Sequence, residues 1–315
     1  MFDLPGRVEV VEMLPRDGFQ RLEAFVPTEA KIEIVDDLST TGVDEIEFTS
    51  FAHPDAVPNL RDAEAVAAGI ERVDGVTYRA QVPNVTGMER ARDAGVDKVN
   101  ALVTVSESYS RKNQRMRVDE AIAEVEGIVE IAHDADIAVE AGVATAFYCP
   151  YQGRIDPDRT LAVVESVVEA GVDEVTLAAT MGLANPAQVA DLFGRVRERW
   201  PDLDLGFHLH DTNGMSLANT LVAMACGVAR FDAALCGLGG GVVLPEALTG
   251  VGNTPTEDLV HMLSGMDPGV SADFAAVTRT AERVADRLDL APRSHVLMGG
   301  TVENVLATVE RASEE

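Results

Sequence analysis

The chain has 315 residues, 46% of them apolar and 25% charged, enough for one large or two small globular domains with a substantial core. Fifty-three Asp and Glu against 25 Lys and Arg leave a formal charge of −28, which repels a phosphate backbone or an anionic membrane face and argues against both as partners. No run reaches the roughly 18–20 apolar residues of a membrane helix, and the N-terminus has no basic region followed by an apolar core. The three cysteines, Cys149, Cys226 and Cys236, are too few and too scattered for a disulfide framework or a structural zinc site. A cytoplasmic protein with reduced thiols is expected.

A phrase recurs along the chain. Thr41-Gly42-Val43-Asp44, Ala94-Gly95-Val96-Asp97, Ala170-Gly171-Val172-Asp173 and the looser Cys226-Gly227-Val228-Ala229 each follow a segment with helical spacing and lead into apolar, β-branched residues. The repeated unit is helix, glycine cap, strand. Hydrophobic periodicity predicts strands near 7–13, 44–49, 77–82, 97–103, 137–146, 173–178, 203–209 and 231–236. They alternate with amphipathic segments that include 28–41, 118–134, 157–170, 186–199 and 214–227. Eight such units predict an α/β protein of the closed (β/α)8 TIM-barrel type. A doubly wound sheet is the rival, but Leu14-Pro15-Arg16-Asp17-Gly18-Phe19-Gln20 follows the first strand where a glycine-rich dinucleotide fingerprint would stand. Residues 1–265 are expected to form the barrel and 266–315 a helical extension packed on it.

In a barrel the chemistry belongs at the C-terminal ends of the strands. Arg16, Asp17 and Gln20 lie just past strand one. At the end of strand two, alternation sends Glu47 and Thr49 to one face, and an inward carboxylate needs a partner such as Arg16. His208 and His210 project to the same face of their strand, roughly 6.5–7 Å apart along it, so both imidazoles can converge on one ion. With a carboxylate oxygen from Asp17, the mixed N/O set suits Mg²⁺ or Mn²⁺ better than a thiolate-loving metal. Asp211 and Thr212 are expected to begin the next helix. The glycine-rich run from Gly237 to Gly241 lacks the Lys-Ser/Thr of a phosphate-binding loop. Asn253, beside Gly252, is either a further oxygen ligand or a turn residue.

Six signatures keep one order: Pro15-Arg16-Asp17-Gly18-x-Gln20, Ile46-Glu47-x-Thr49-Ser50-Phe51, Ser106-x-x-Tyr109-Ser110-Arg111-Lys112-Asn113, Cys149-Pro150-Tyr151-x-Gly153-x-Ile155, His208-x-His210-Asp211-Thr212-x-Gly214, and Gly237-Leu238-Gly239-Gly240 up to Gly252-Asn253. Together they resemble the 3-hydroxy-3-methylglutaryl-CoA lyases over about residues 7–265. The resemblance implies that Asp17, His208, His210 and Asn253 bind Mg²⁺ or Mn²⁺. It implies that Arg16 contacts the substrate's oxygens, that Glu47 holds Arg16, and that Gln20, Ser50, Asn113 and Thr180 line the substrate pocket. The implied reaction is cleavage of a 3-hydroxyacyl-CoA to acetyl-CoA and a keto product, with Asp17 or His208 receiving the hydroxyl proton.

Two departures accompany the resemblance. In these lyases a Cys that acts as the acid follows Gly-Leu-Gly-Gly; here Gly241 stands there and the loop before Asn253 is longer. Where the family commonly reads Leu-Gly-Asp-Thr, this chain reads Leu177-Ala178-Ala179-Thr180. Cys236, upstream, reads as core; Glu246, inside the altered loop, is the alternative acid or an exposed residue. A Claisen-type acyl-CoA/2-oxo-acid synthase or aldolase, or a metal-binding barrel without turnover, are the competing readings. A homodimer is compatible with the C-terminal helices.

Overall fold

The computed structural model describes residues 4–240, 252–266 and 269–314. Eight parallel strands close on themselves: β1 (Arg7–Glu12), β2 (Glu45–Ser50), β3 (Thr77–Val82), β4 (Lys98–Thr104), β5 (Ala138–Ala144), β6 (Glu174–Ala179), β7 (Asp204–Leu209) and β8 (Arg230–Ala233), each pairing with the next and β8 with β1. Around them run α1 (Thr28–Ser39), α2 (Ala63–Gly69), α3 (Val85–Asp93), α4 (Glu107–Asn113), α5 (Val118–His133), α6 (Pro157–Glu169), α7 (Pro186–Arg199), α8 (Ser216–Ala225) and α9 (Thr256–Ser264). Three further helices follow: α10 (Phe274–Leu288), α11 (His295–Gly299) and α12 (Val302–Glu314). The expected TIM barrel is present.

The recurring phrase has a physical reason at each of its residues. Gly42, Gly95, Gly171 and Gly227 all have φ between 70° and 91°, the left-handed turn that ends a helix without a Cβ penalty. The aspartates two residues on reach sideways. Asp44 accepts the N–H of Val10 on β1 at 2.9 Å, Asp97 that of Tyr78 on β3 at 2.9 Å, and Asp173 that of Val139 on β5 at 2.8 Å. Each carboxylate therefore clasps a main-chain N–H of the preceding strand. In the fourth copy Ala229 replaces the acid, and β1 meets β8 there through a backbone bond from Glu9 N–H to the Ala229 carbonyl at 2.8 Å.

Alternation along the strands sorts two kinds of residue. Val99, Ala101, Val103, Val139, Val143, Leu177 and Phe207 are buried in the apolar layer between strands and helices, where Phe207 packs edge-on against Phe193 of α7 at 4.9 Å between ring centroids. The inward positions are charged. Arg79, with no exposed surface, sits 2.9 Å from Glu45, 2.7 Å from Glu47, 2.9 Å from Glu140 and 3.5 Å from Asp232. Lys98 pairs with Glu45 at 2.9 Å and with Glu174, and Arg230 with Glu174 at 2.8 Å. Burying so many charges is tolerable only because each has counter-charges in reach.

Differences from the predicted elements lie at their ends and in short elements, among them a two-residue hairpin pairing of Tyr148–Cys149 with Gly153–Arg154 and a short strand Gly269–Val270 beside β1. β8 stops at Ala233 rather than 236, because Leu235–Gly237 turns as a 3-10 segment with Cys236 at φ 61°. α8 starts at Ser216, not at Asp211 and Thr212; Asp211 nonetheless accepts the Ser216 N–H at 2.9 Å, so it serves the helix start from outside. Helices α2 and α4, seven residues each, are too short for periodicity to reveal.

Two buried carboxylates hold the chain where β8 ends. Glu12 accepts the N–H groups of Leu14 at 2.9 Å and Leu235 at 3.0 Å and the Thr256 hydroxyl at 2.6 Å, while Glu257 accepts the Cys236 N–H at 2.9 Å. Burial pushes Glu12 up to about 7 and Glu257 to about 8. Cys236 is itself buried, and burial raises its thiol further from ionisation.

Replacing Arg79 with Met strands Glu45, Glu47, Glu140 and Asp232 without their shared cation and should cost about 3–5 kcal/mol, read as a lower urea midpoint. A midpoint equal to that of the parent chain would refute the assignment of Arg79 as the counter-ion. The pH dependence has a definite sign: Glu257 keeps its proton in the folded chain from its ordinary 4.5 up to about 8, so the folded state binds more protons than the unfolded one and stability falls as pH rises through that window. Glu257→Gln should flatten this decline in urea titrations between pH 5 and 8.

Candidate metal centre

Three segments meet at the C-terminal mouth of the barrel. The chain leaves β1 through a single wide π-helical turn, Leu14–Gly18, in which Asp17 N–H and Gly18 N–H both reach the Met13 carbonyl; turns of this kind recur at functional sites. It turns Arg16 and Asp17 inward. β7 delivers His208, and His210 follows it in a single antiparallel bridge to Asn253. Asp17, His208 and His210 are buried, and they are the group of His, Cys, Asp or Glu side chains among the described residues whose ligand atoms lie close enough, within 4.8 Å of one another, to hold a metal ion.

Hydrogen bonds on the far side of each ring fix its state. His208 Nδ1 is 3.0 Å from Asp232, a carboxylate that burial opposes but Arg79 and then His208 pull down to about 2. His210 Nδ1 is 2.6 Å from the Thr180 carbonyl. Both neighbours are acceptors, so both Nδ1 atoms carry the hydrogen and both Nε2 atoms present lone pairs. Those two Nε2 atoms face each other at 3.1 Å. Two lone pairs at that distance need a cation or a shared proton between them.

Asp17 completes the set. Its Oδ2 lies 3.6 Å from His210 Nε2 and accepts Asn253 Nδ2 at 2.7 Å and the Gly240 N–H at 2.9 Å; its Oδ1 accepts Arg16 at 2.9 Å and also Gln20. Burial opposes its charge, yet Arg16 and the two histidines hold it well below the usual carboxylate range. The close approach of the glycine-rich run is possible only without a side chain: a Cβ on Gly239, at φ 131°, would fall 2.0 Å from Asn253 Nδ2 and 2.5 Å from Asp17 Oδ2. Asn253 also donates to the Leu238 carbonyl at 2.9 Å, which leaves its Oδ1 buried with no partner. An orphaned amide oxygen, a carboxylate and two imidazole lone pairs form a donor set that fits a divalent ion such as Mg²⁺ or Mn²⁺.

Arg16 is anchored from below. Its Nε pairs with Glu47, which pairs in turn with Arg79 at 2.7 Å and accepts Asn100 Nδ2 at 3.0 Å. Burial opposes the Arg16 charge and Glu47 and Asp17 more than restore it, raising its pKa. A cavity of about 420 Å³ opens above, lined by Arg16, Asp17, Gln20, Asn113, Thr180, His208 and His210 among others. Gln20 and Asn113 thus stand on its wall. Thr180 does too, although its hydroxyl is committed to the Thr145 N–H at 2.7 Å. Ser50 is set back, its hydroxyl 3.4 Å from the lining residue Gln81, and Glu47 lies beneath Arg16. Ala179 is buried, between the lining residues Ala178 and Thr180. Gly241 and Glu246 lie outside the described residues.

Sequence reasoning missed Asp232, which sits opposite His208 in the β7–β8 register; its alternation with Arg230 was the available signal. The Thr180 carbonyl carries no side-chain signature and could not have been found. Asp232→Asn removes the acceptor that orients His208 and should weaken Mn²⁺ binding about 10–100-fold, followed by electron paramagnetic resonance of the free ion; unchanged affinity would show that Asp232 does not set that ring.

Comparison with known proteins agrees with this geometry. A match to the HMGL-like family spans residues 7–284. The hydroxymethylglutaryl-CoA lyase of Bacillus subtilis is 36% identical over 284 residues, 90% of this chain and 94% of that protein. The human mitochondrial hydroxymethylglutaryl-CoA lyase is 38% identical over 266 residues, 84% and 81% of the two chains. Among solved structures, the B. subtilis HMG-CoA lyase superposes with a TM-score of 0.90 at 36% identity, covering 94% of this chain and 98% of that one. An HMG-CoA lyase from Acinetobacter baumannii, in complex with coenzyme A and 3-methylmalate, gives 0.88 at 35% identity, covering 94% and 96%. No helix among the described residues is long and apolar enough to cross a membrane. The chain belongs to the HMGL-like family.

Proposed function

We propose that this chain is a divalent-metal-dependent carbon–carbon lyase that cleaves a 3-hydroxyacyl-CoA of the hydroxymethylglutaryl-CoA kind to acetyl-CoA and a keto product. The observation that carries the reading is the convergence of Asp17, His208 Nε2, His210 Nε2 and the unpartnered Asn253 Oδ1 beside the Arg16 guanidinium. These four residues would hold Mg²⁺ or Mn²⁺. Such an ion lowers the pKa of a hydroxyl it touches and offsets developing negative charge.

The chain's own groups supply the rest. Arg16, fixed between Glu47 and Asp17, presents donors to the substrate's oxygens without having to reorganise, which is where such donors act most strongly. Asp17 or His208 takes the hydroxyl proton, and Asp232 behind His208 stabilises a positive ring. Gln20 and Asn113 on the cavity wall orient the acyl group, with Thr180 and Ser50 shaping it. Lys112 and Arg115 are exposed lining residues, a local positive rim on a strongly acidic chain, and they suit the phosphates of a CoA carrier. Residues 1–265 act in this reading as the catalytic barrel and 266–315 as its helical extension. In this reading the protein works in the cytoplasm, with neither nucleic acid nor membrane as partner. The exposed apolar stripe Val302, Val305 and Leu306 on α12 supports a homodimer.

Acetyl-CoA release from a panel of 3-hydroxyacyl-CoA thioesters with Mg²⁺ or Mn²⁺ tests the reading. Asp17→Asn and His210→Ala should each lower turnover by at least about 10²-fold. Turnover untouched by both changes would remove the metal-centred reading; consumption of acetyl-CoA with a 2-oxo acid would replace it with the synthase direction, and metal binding without any turnover with a non-catalytic barrel.

A further inference from the structure

Carbon–carbon cleavage leaves an electron pair on the carbon next to the thioester, and something must protonate it. The buried ionisable groups on the cavity wall are Arg16, Asp17, Tyr109, His208, His210 and Asp232. Five are disqualified by their setting. Arg16 is paired with two carboxylates, Asp17 accepts from Arg16, Gln20, Gly240 and Asn253, Asp232 lies between Arg79 and His208, and the Nδ1 hydrogen of His210 is committed to the Thr180 carbonyl. The Nδ1 hydrogen of His208 is likewise committed, to Asp232. Tyr109 is different. It is 3% exposed, on α4 directly after β4, with its backbone N–H on the cap residue Ser106 at 3.2 Å and its ring 6.3 Å from that of Tyr151. Apart from the base that has taken the hydroxyl proton, it is the buried lining group among the described residues that has a proton to give.

We propose that the Tyr109 hydroxyl is the acid that protonates the α-carbon of the leaving acyl thioester, a catalytic residue taking the role that the resemblance gives to a loop cysteine. The inference rests on the lyase reading above. The bond between the carbinol carbon and the α-carbon breaks and its electron pair stays on the α-carbon. The O–H bond of Tyr109 then breaks, a C–H bond forms to give the acetyl thioester, and the phenolate recovers a proton from water while the base returns to solvent the one it took from the substrate hydroxyl. No oxidant or reductant is involved. Burial, and next the negative charge of Asp17, keep this phenol protonated. A thioester enolate is a far stronger base than a phenolate, so the transfer runs downhill all the same.

Tyr109→Phe deletes one oxygen and preserves the ring packing. The variant should melt like the parent protein and bind Mn²⁺ with unchanged affinity by paramagnetic resonance. It should release acetyl-CoA about 10²-fold more slowly and lose the exchange of deuterium from D₂O into the methyl group of acetyl-CoA that the lyase reading expects of the parent protein. Turnover and exchange within threefold of the parent would overturn the assignment, as would their loss in Glu246→Gln while Tyr109→Phe keeps both. A parent protein that neither cleaves nor exchanges, or an Asp17→Asn variant as active as the parent, would instead sink the lyase reading, and the assignment with it. Lowered Mn²⁺ affinity in Tyr109→Phe would mark the tyrosine as structural.

Discussion

One guanidinium ties the molecule's interior to its chemistry. Arg79, fully enclosed by the barrel, lies 2.7 Å from Glu47 and 3.5 Å from Asp232. Glu47 grips Arg16, and Asp232 sets the tautomer of His208. The two arms of the site, one aimed at substrate oxygens and one at a cation, therefore share a single buried counter-charge. Arg79 is the strongest pull holding Asp232 ionised at that depth, and without it both acids would lose a buried counter-charge.

The site's polarity follows the same economy. Both Asp17 oxygens accept from donors, those of Arg16, Gln20, Asn253 and Gly240, while the acceptor nitrogens of the two histidines are left pointing at one another. The imbalance is local and positive charge resolves it. That is why the donor set is better evidence than any one residue: a lone buried His is usually satisfied, but two Nε2 lone pairs meeting at 3.1 Å beside an orphaned amide oxygen are not.

Much of this was legible in the amino-acid order. The repeated glycine cap and following aspartate announced the barrel, because helix ends and strand starts both have local signatures. The His-x-His spacing announced two imidazoles on one face, because the strand period is 2. The inward turn of Glu47 toward Arg16 followed from alternation, even with the register shift that β2 makes between Glu47 and Thr49. What stayed hidden depends on contacts between distant segments. The partnership of Arg79 with four acids spans up to 153 positions, and the hydrogen bond from His210 to a backbone carbonyl involves no side chain that a pattern could mark. The start of α8 was misplaced because Asp211 caps it from five residues away.

The missing aspartate of the fourth repeat has a consequence for motion. Asp44, Asp97 and Asp173 latch the β1–β2, β3–β4 and β5–β6 seams, whereas the equivalent β7–β8 seam has Ala229 and relies on main-chain pairing and on the His208–Asp232 contact. A ring loosens where its fastenings are fewest. Thermal breathing should thus concentrate along this side, next to the glycine run that closes over Asp17, and the ease with which reactants come and go would be set by the gap in an otherwise regular series of clasps.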